Sequence, residues 1–168
     1  PTETTTDTGG IATSWSYTYH ASDALAVKKR TTTLPVVATG ENGSGSAVTT
    51  SDYFETDGLH TWSKDGDGFV HYTGFDAQRR TVTKTVRNID TDSADRPSGV
   101  PAPPSGEGFD SSTGLNIVTD FEQDFLRRPT KEVSPAFNAW NGSSIVSTST
   151  TRRRYYTKLS TGEAVTVE

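Results

Sequence analysis

Phe75-Asp76-Ala77-Gln78-Arg79-Arg80-Thr81-Val82 sets the terms for the whole chain. It places an aromatic residue, an acid, two free positions and a basic pair around a turn at Ala77-Gln78, with apolar strand on either side. The order returns at Gln123-Asp124-Phe125-Leu126-Arg127-Arg128, with Phe121 two residues before the Gln. It returns again at Phe54-Glu55-Thr56-Asp57-Gly58, where a glycine stands in for arginine. Tyr17-Thr18-Tyr19-His20 opens a fourth copy without completing it. A recurrent unit points to one supersecondary element used repeatedly, not to a single catalytic site.

Each residue type has a physical reason to be there. The aromatic covers one face of a strand. The acid can accept backbone N–H groups in the turn, or pair with arginine on the return strand. A carboxylate–guanidinium pair can be bidentate and directional. Such a pair helps fix register, and a slip of one residue would turn the hydrophobic set to the other face. Hairpins stacked side by side bury a continuous face that no single copy could bury.

The rest of the chain divides around these units. Residues 1–46 form a lead-in segment: a polar start, then a strand with Trp15, Tyr17 and Tyr19 on one face, then a flexible loop at Glu41-Asn42-Gly43-Ser44-Gly45-Ser46. Within it, residues 21–28 allow a turn or two of helix, and Pro35 makes 31–39 an edge strand or a bend. Residues 47–88 hold hairpins, including the Asp65-Gly66-Asp67-Gly68 turn signal. Residues 89–113 are rich in Pro, Gly and Asp, and read as a surface loop or an insertion. Residues 114–168 return to hairpins, with a turn at Asn141-Gly142, strands over 145–151 and 154–159, and a final alternation of Val165 and Val167. The expected fold class is all-β: antiparallel hairpins in a repeat-type array or ribbon with one long loop. The start at Pro1 and the end in mid-strand lead us to expect a piece of a longer polypeptide.

Composition narrows the function classes. Net charge is −5, which gives no electrostatic case for nucleic acid. Hydrophobic residues make up 30%, and no run of apolar residues is long enough to span a membrane. With no Cys, disulfides, thiolate metal sites and Cys nucleophiles are excluded. Abundant Thr suits half-exposed strands.

The recurrent unit resembles the YD repeat of the RHS-repeat proteins, roughly Tyr-x-Tyr-Asp-x-x-Gly-Arg followed by an apolar strand. Residues 75–82 match with Phe75 for Tyr, Asp76 as the acid, Arg79 for Gly and Arg80 as the arginine. Residues 121–129 match with Phe121 and Gln123 in the tyrosine positions, Asp124 as the acid, Arg127 for Gly and Arg128 as the arginine. Phe54, Glu55 and Gly58 keep the aromatic, an acid and the glycine. The step from Phe54 to Phe75 is close to one family unit. The step from Asp76 to Asp124 is about one unit plus the 89–113 segment. The resemblance is best over residues 47–135. The arginines in the glycine position leave the turn type there open, because positive φ is unfavourable for arginine. The resemblance implies a large secreted or cell-surface protein whose repeats wind into a ribbon or hollow shell, some enclosing a toxin and others acting in adhesion. Open strand edges of such an array should pair with something, and the expected partners are neighbouring repeats of the same chain or identical subunits.

Chemistry has little support. No Gly-x-Ser-x-Gly elbow occurs, and His20, His60 and His71 lack metal-ligand spacing. From Asp65 the calcium-loop register fails, since Phe69 falls on a ligand position and Asp76 where a bidentate Glu belongs. Asp90, Asp92 and Asp95 remain as candidates to gather around a hard cation. No carboxylate pair is marked for glycoside hydrolysis. Arg152-Arg153-Arg154 reads as strand charge pairing with neighbouring acids. No enzyme activity and no cofactor are expected. The competing function is an adhesion module for cell-surface carbohydrate or a receptor, with Trp15, Tyr17, Tyr19 and Trp62 as a sugar-stacking set. A scaffold predicts Trp15, Tyr17 and Tyr19 buried against another strand; a lectin predicts them exposed in a groove.

Overall fold

A computed structural model describes residues 1–6, 11–159 and 161–168. In chain order the strands are β1 (Thr2–Thr6), β2 (Ala12–His20), β3 (Asp23–Thr33), β4 (Thr49–Phe54), β5 (His60–Lys64), β6 (Val70–Phe75), β7 (Val82–Arg87), β8 (Ile117–Gln123), β9 (Pro129–Val133), β10 (Phe137–Trp140), β11 (Ile145–Thr148), β12 (Thr151–Leu159) and β13 (Gly162–Val167). Eleven of them form one antiparallel sheet in the order β1-β2-β3-β4-β5-β6-β7-β8-β9-β12-β13. Among the described residues β10 and β11 pair only with each other. The fold is therefore all-β and antiparallel, as the alternating pattern and turn signals imply.

Three local expectations are corrected. Residues 21–28 are not helical: from Asp23 they belong to β3, which pairs with β2 on one side and β4 on the other. A helix of so few residues has no stability of its own, and the run from Lys29 to Thr33 has ladder partners on both sides. Part of the polar lead-in is also a strand, since Thr2–Thr6 pairs with Ala12–Ser16; residues 7–10 lie outside the described residues. Residues 145–151 and 154–159 divide differently, because β12 already begins at Thr151 and pairs there with Val133.

Register decides what each face carries, because partners across an antiparallel ladder point to the same side. Tyr53, Trp62, Tyr72, Val86 and Val118 are successive partners and share one face. Tyr17, Arg30, Asp52, Ser63 and His71 are likewise successive partners on the opposite face. One face is apolar at its centre and the other polar, the arrangement of an antiparallel sheet solvated on one side.

The apolar face needs a cover, and the chain between β7 and β8 provides it. Ile89, Val100 and Phe109 from this segment bury against Trp62, Val70 and Val86 to form the core. The expectation of a surface loop or insertion over 89–113 is thus corrected. Its large apolar residues Ile89, Val100 and Phe109 are buried, with Asp90 and Thr91 beside them, and fully burying a side chain of this size contributes roughly 1.5–3 kcal/mol. The segment runs across the sheet as a strap. Phe109 meets Tyr53 of β4 edge to face. Glu107 forms ion pairs with Lys28 and Lys29 of β3, and Lys64 of β5 donates to the Gly108 carbonyl. The strap's two ends are pinched together: the Asn116 amide donates to the Asn88 carbonyl at 3.0 Å and the Thr91 amide to that of Ser111 at 2.8 Å. Gly114 permits that approach, since a Cβ there would lie 2.0 Å from the Asp90 nitrogen.

Candidate functional site

In an antiparallel meander successive turns alternate between the two ends of the sheet. The connections 20–23, 55–59, 76–81 and 124–128 therefore share one end, together with the approach of β12 to β13. The three matching units of the sequence fall at this short-turn end. The long connections, including the strap, lie at the other.

The turns are built alike. The Gly58 amide donates to the Glu55 carbonyl, Arg79 to Asp76 and Arg127 to Asp124. The amides of Glu55 and Asp124 close their loops onto the carbonyls of Leu59 and Arg128. That of Asp76 reaches Thr81, one residue further. Gly58 sits at φ 81°, Arg79 at 57° and Arg127 at 63°. Arginine therefore occupies the left-handed position that glycine fills at Gly58, which settles the turn type at both arginine sites. The same geometry appears at the opposite end, at Asp65–Phe69, with Gly68 at φ 90°. It is a turn followed by a left-handed residue, a common hairpin loop.

The acids differ in use. Asp76 Oδ1 accepts from the amides of Arg80 (2.6 Å) and Thr81 (3.2 Å), which hold its carboxyl below the usual range. Asp124 Oδ1 accepts from the amides of Leu126 and Arg128, while its Oδ2 takes the Arg128 guanidinium. The Arg128 pair is the main reason the Asp124 carboxyl is held down. Glu55 is too long for the amide role and instead accepts from the Thr61 hydroxyl at 3.2 Å.

A further regularity joins the units. Just before each turn the register shifts by one: between Tyr53 and Phe54, between Gly74 and Phe75, and between Glu122 and Gln123. In each case the unpaired residue on the return strand is a threonine, Thr61, Thr83 and Thr130. These are β-bulges, which bend a strand and raise its twist. A threonine shortly beyond each turn is the one mark that the bulges leave in the sequence.

Neighbouring hairpins are tied side to side at this end. Arg79 binds Asp57 of the preceding turn through two hydrogen bonds of 2.8 and 3.2 Å. Thr81 donates to Gln123 Oε1, and Gln123 Nε2 donates to the Val82 carbonyl at 2.7 Å. Arg128 bridges Asp124 and Glu163 of β13, and its guanidinium lies 4.2 Å over the Tyr156 ring. Arg80 and Arg127 line a polar cleft of about 400 Å³ with Asp76, Gln78 and Asp124, where acids balance bases.

The expected sugar-stacking set is not assembled. Trp62 is 2% exposed in the core, on the face opposite Tyr17. Trp15 shares the Tyr17 face and both are half-buried, while Tyr19 follows a bulge and is exposed. Tyr17 alone lines an open depression of about 540 Å³, with Leu25, Val27, Arg30 and Phe54. The calcium candidates also disperse. Asp90 is buried and caps the Asp92 amide, whereas Asp92 and Asp95 are exposed turn residues. Among the described residues, no group of three His, Asp or Glu side chains is placed to hold a metal ion. Each histidine has a local partner: His20 the Phe54 carbonyl, His60 the Asp52 carboxylate, and His71 both Asp65 and the Asn88 amide. No helix among the described residues is long and apolar enough to cross a membrane.

Sequence reasoning missed the Arg30–Asp52–His60 group on the polar face. Arg30 grips Asp52 Oδ2 at 2.8 and 3.1 Å, and His60 reaches Oδ1 at 3.2 Å. Three separate strands supply these residues, so no local spacing marks them.

Compared with known proteins, the chain matches no family model and no curated sequence.

Proposed function

We propose that this chain is a structural and interaction segment of a large secreted or cell-surface protein of the RHS type, assembling through strand pairing into a shell or extracellular filament. The observation that carries the reading is the short-turn end. Three hairpins there share a turn, a threonine bulge and side-to-side ties, so their charged residues have structural roles. Both outer strands of the sheet, β1 and β13, present open edges, and an open edge is a template for further strands. Electron microscopy of the native polypeptide that carries this chain, with protease accessibility on intact cells, tests the reading. A surface-exposed shell or ribbon continuous with this sheet is the expected result. An isolated domain on flexible tethers, or a protected intracellular location, overturns it.

A second reading, an adhesion module for carbohydrate, has one observation in its favour: Tyr17, Phe54 and Arg30 line one open depression. Saturation-transfer NMR with a panel of neutral and acidic glycans tests it. Tyr17→Ala should abolish any signal, and no signal from any glycan would remove this reading.

A further inference from the structure

Arg127 repeats Arg79 in its backbone but not in what its side chain holds. Both stand fourth in their turns and both are left-handed, at φ 63° and 57°. That conformation is unfavourable for a residue with a Cβ, and such strain concentrates where a side chain is put to use. Arg79 has a use: it grips Asp57, the third residue of the turn before its own. The same reach from Arg127 leads to Gln78, the third residue of the turn before its own. Gln78 is exposed and lines the 400 Å³ cleft together with Arg127. A neutral amide thus stands where the earlier hairpin has a carboxylate.

The acids along this cleft equal the bases in number, but they are already engaged. Asp76 accepts from the amides of Arg80 and Thr81. Asp124 accepts from the amides of Leu126 and Arg128 and pairs with the Arg128 guanidinium, which also takes Glu163. Among the described residues neither Arg80 nor Arg127 forms an ion pair, and both are exposed on the cleft wall. A guanidinium presents its N–H donors in a fork that matches a carboxylate. Phe125, 90% exposed, adds an apolar wall to the same cleft. The cleft lies between two interior hairpins, β6–β7 and β8–β9, and neither outer strand contributes to it.

We propose that this cleft binds a carboxylate from a separate molecule, the aspartate or glutamate side chain of an acidic peptide, with Arg127 holding it as Arg79 holds Asp57 and Arg80 as the second donor group. Asp57 is itself a peptide carboxylate, and Phe125 offers a surface to an apolar neighbour of the acid. The site goes beyond the scaffold reading and stands whether or not the sheet extends into a shell.

The arginine Nε–H resonances of the 168-residue chain, followed by NMR during titration with N-acetylaspartate N-methylamide, test this. The Arg127 and Arg80 signals should move and saturate with a Kd of about 1–10 mM, and the matching asparagine derivative should leave them in place. Gln78→Asp supplies the carboxylate from within, and Arg127→Gly removes the donor while easing the backbone. Each should weaken binding at least about tenfold without loss of the fold. No movement at Arg127 by about 50 mM overturns the site. So does equal movement at Arg153, an exposed arginine of β12, since that is general charge screening. A Gln78→Asp variant that binds as well as the parent overturns the register with Asp57, and tighter binding of glucuronate than of the aspartate derivative overturns the peptide assignment. The native polypeptide that carries this chain should give the same Arg127 shift. Silence there, with binding by the 168-residue chain, would mean that its own remaining residues fill the cleft, and overturns a separate partner.

Discussion

Arg79 reaches back across one hairpin to hold Asp57, Nε to Oδ2 at 2.8 Å and Nη2 to Oδ1 at 3.2 Å, while its own backbone sits at φ 57°. The two facts oppose each other energetically. The left-handed conformation costs a non-glycine residue about 1–2 kcal/mol, and an exposed ion pair recovers little. The position is thus held for its side chain at the expense of its backbone.

Arg79→Gly is expected to keep or slightly raise thermal stability, by relieving the backbone. Arg79→Val, β-branched and without the ion pair, should lower stability by about 1–2 kcal/mol or more. Urea denaturation of the two variants checks this. Equal losses in both would show that the ion pair, not the backbone, dominates.

Phe109→Ala should be the most damaging single change in the strap. Phe109 is fully buried against the sheet, and removing such a ring costs about 3–5 kcal/mol. Because a domain's total stability is itself only about 5–15 kcal/mol, partial unfolding at ambient temperature is expected. Circular dichroism melts, with amide exchange on β5 to β7, measure it; a loss under about 1 kcal/mol would mean the strap does not cover the core.

The sequence made the hairpins legible but not the core. Turn chemistry at Asp57-Gly58, Asp65-Gly66-Asp67-Gly68 and Asn141-Gly142 is local, so it could be read from neighbouring residues. Phe109 and Ile89 lie in a stretch whose Pro, Gly and Asp content reads as solvent-exposed, and their burial depends on strands distant in sequence. Trp62 fails as a sugar platform for a related reason. Register fixes the face a residue occupies, and the loops between Tyr17 and Trp62 carry no local signal of how their strands align. At Arg79 and Arg127 the turns were legible but their type was not, since arginine argues against the left-handed conformation the chain adopts there.

Acid should unfold the protein through its held carboxylates. Asp52 is held below its ordinary 3.8 chiefly by the hydrogen bond with His60, against the opposing effect of burial, with Arg30 adding to it. Asp124 and Asp76 are lowered as well, and so is Glu107 through Lys28. A folded pKa below the unfolded one gives stability that is fully present above the unfolded value and is lost as pH falls through the folded one. Stability should therefore fall with pH from about 4 downward. In Asp52→Asn the slope in that range should be shallower, which urea midpoints at a series of pH values would show. An unchanged slope would assign the acid sensitivity to the other carboxylates.

One histidine joins the ties at the root of the strap. The Asn88 amide donates to His71 Nδ1 at 3.1 Å, and an amide N–H can only donate, so Nδ1 carries no proton. His71 is then the neutral Nε2–H form, donating to Asp65 Oδ2 at 3.0 Å. Asn88 itself sits at φ 47° with its side-chain Oδ1 buried and, among the described residues, lacking a hydrogen-bond partner. Asn88→Gly removes both burdens while keeping the amide that bonds His71. It should raise stability by about 1 kcal/mol. His71→Phe loses both hydrogen bonds and should speed exchange of the Asn88 amide at least about tenfold, since each 1.4 kcal/mol of opening free energy is about a factor of ten. Imidazole nitrogen shifts near neutral pH should carry the Nε2–H signature. An Nδ1–H signature, or an Asn88→Gly variant that is less stable than the parent, would mean that the strap is anchored some other way.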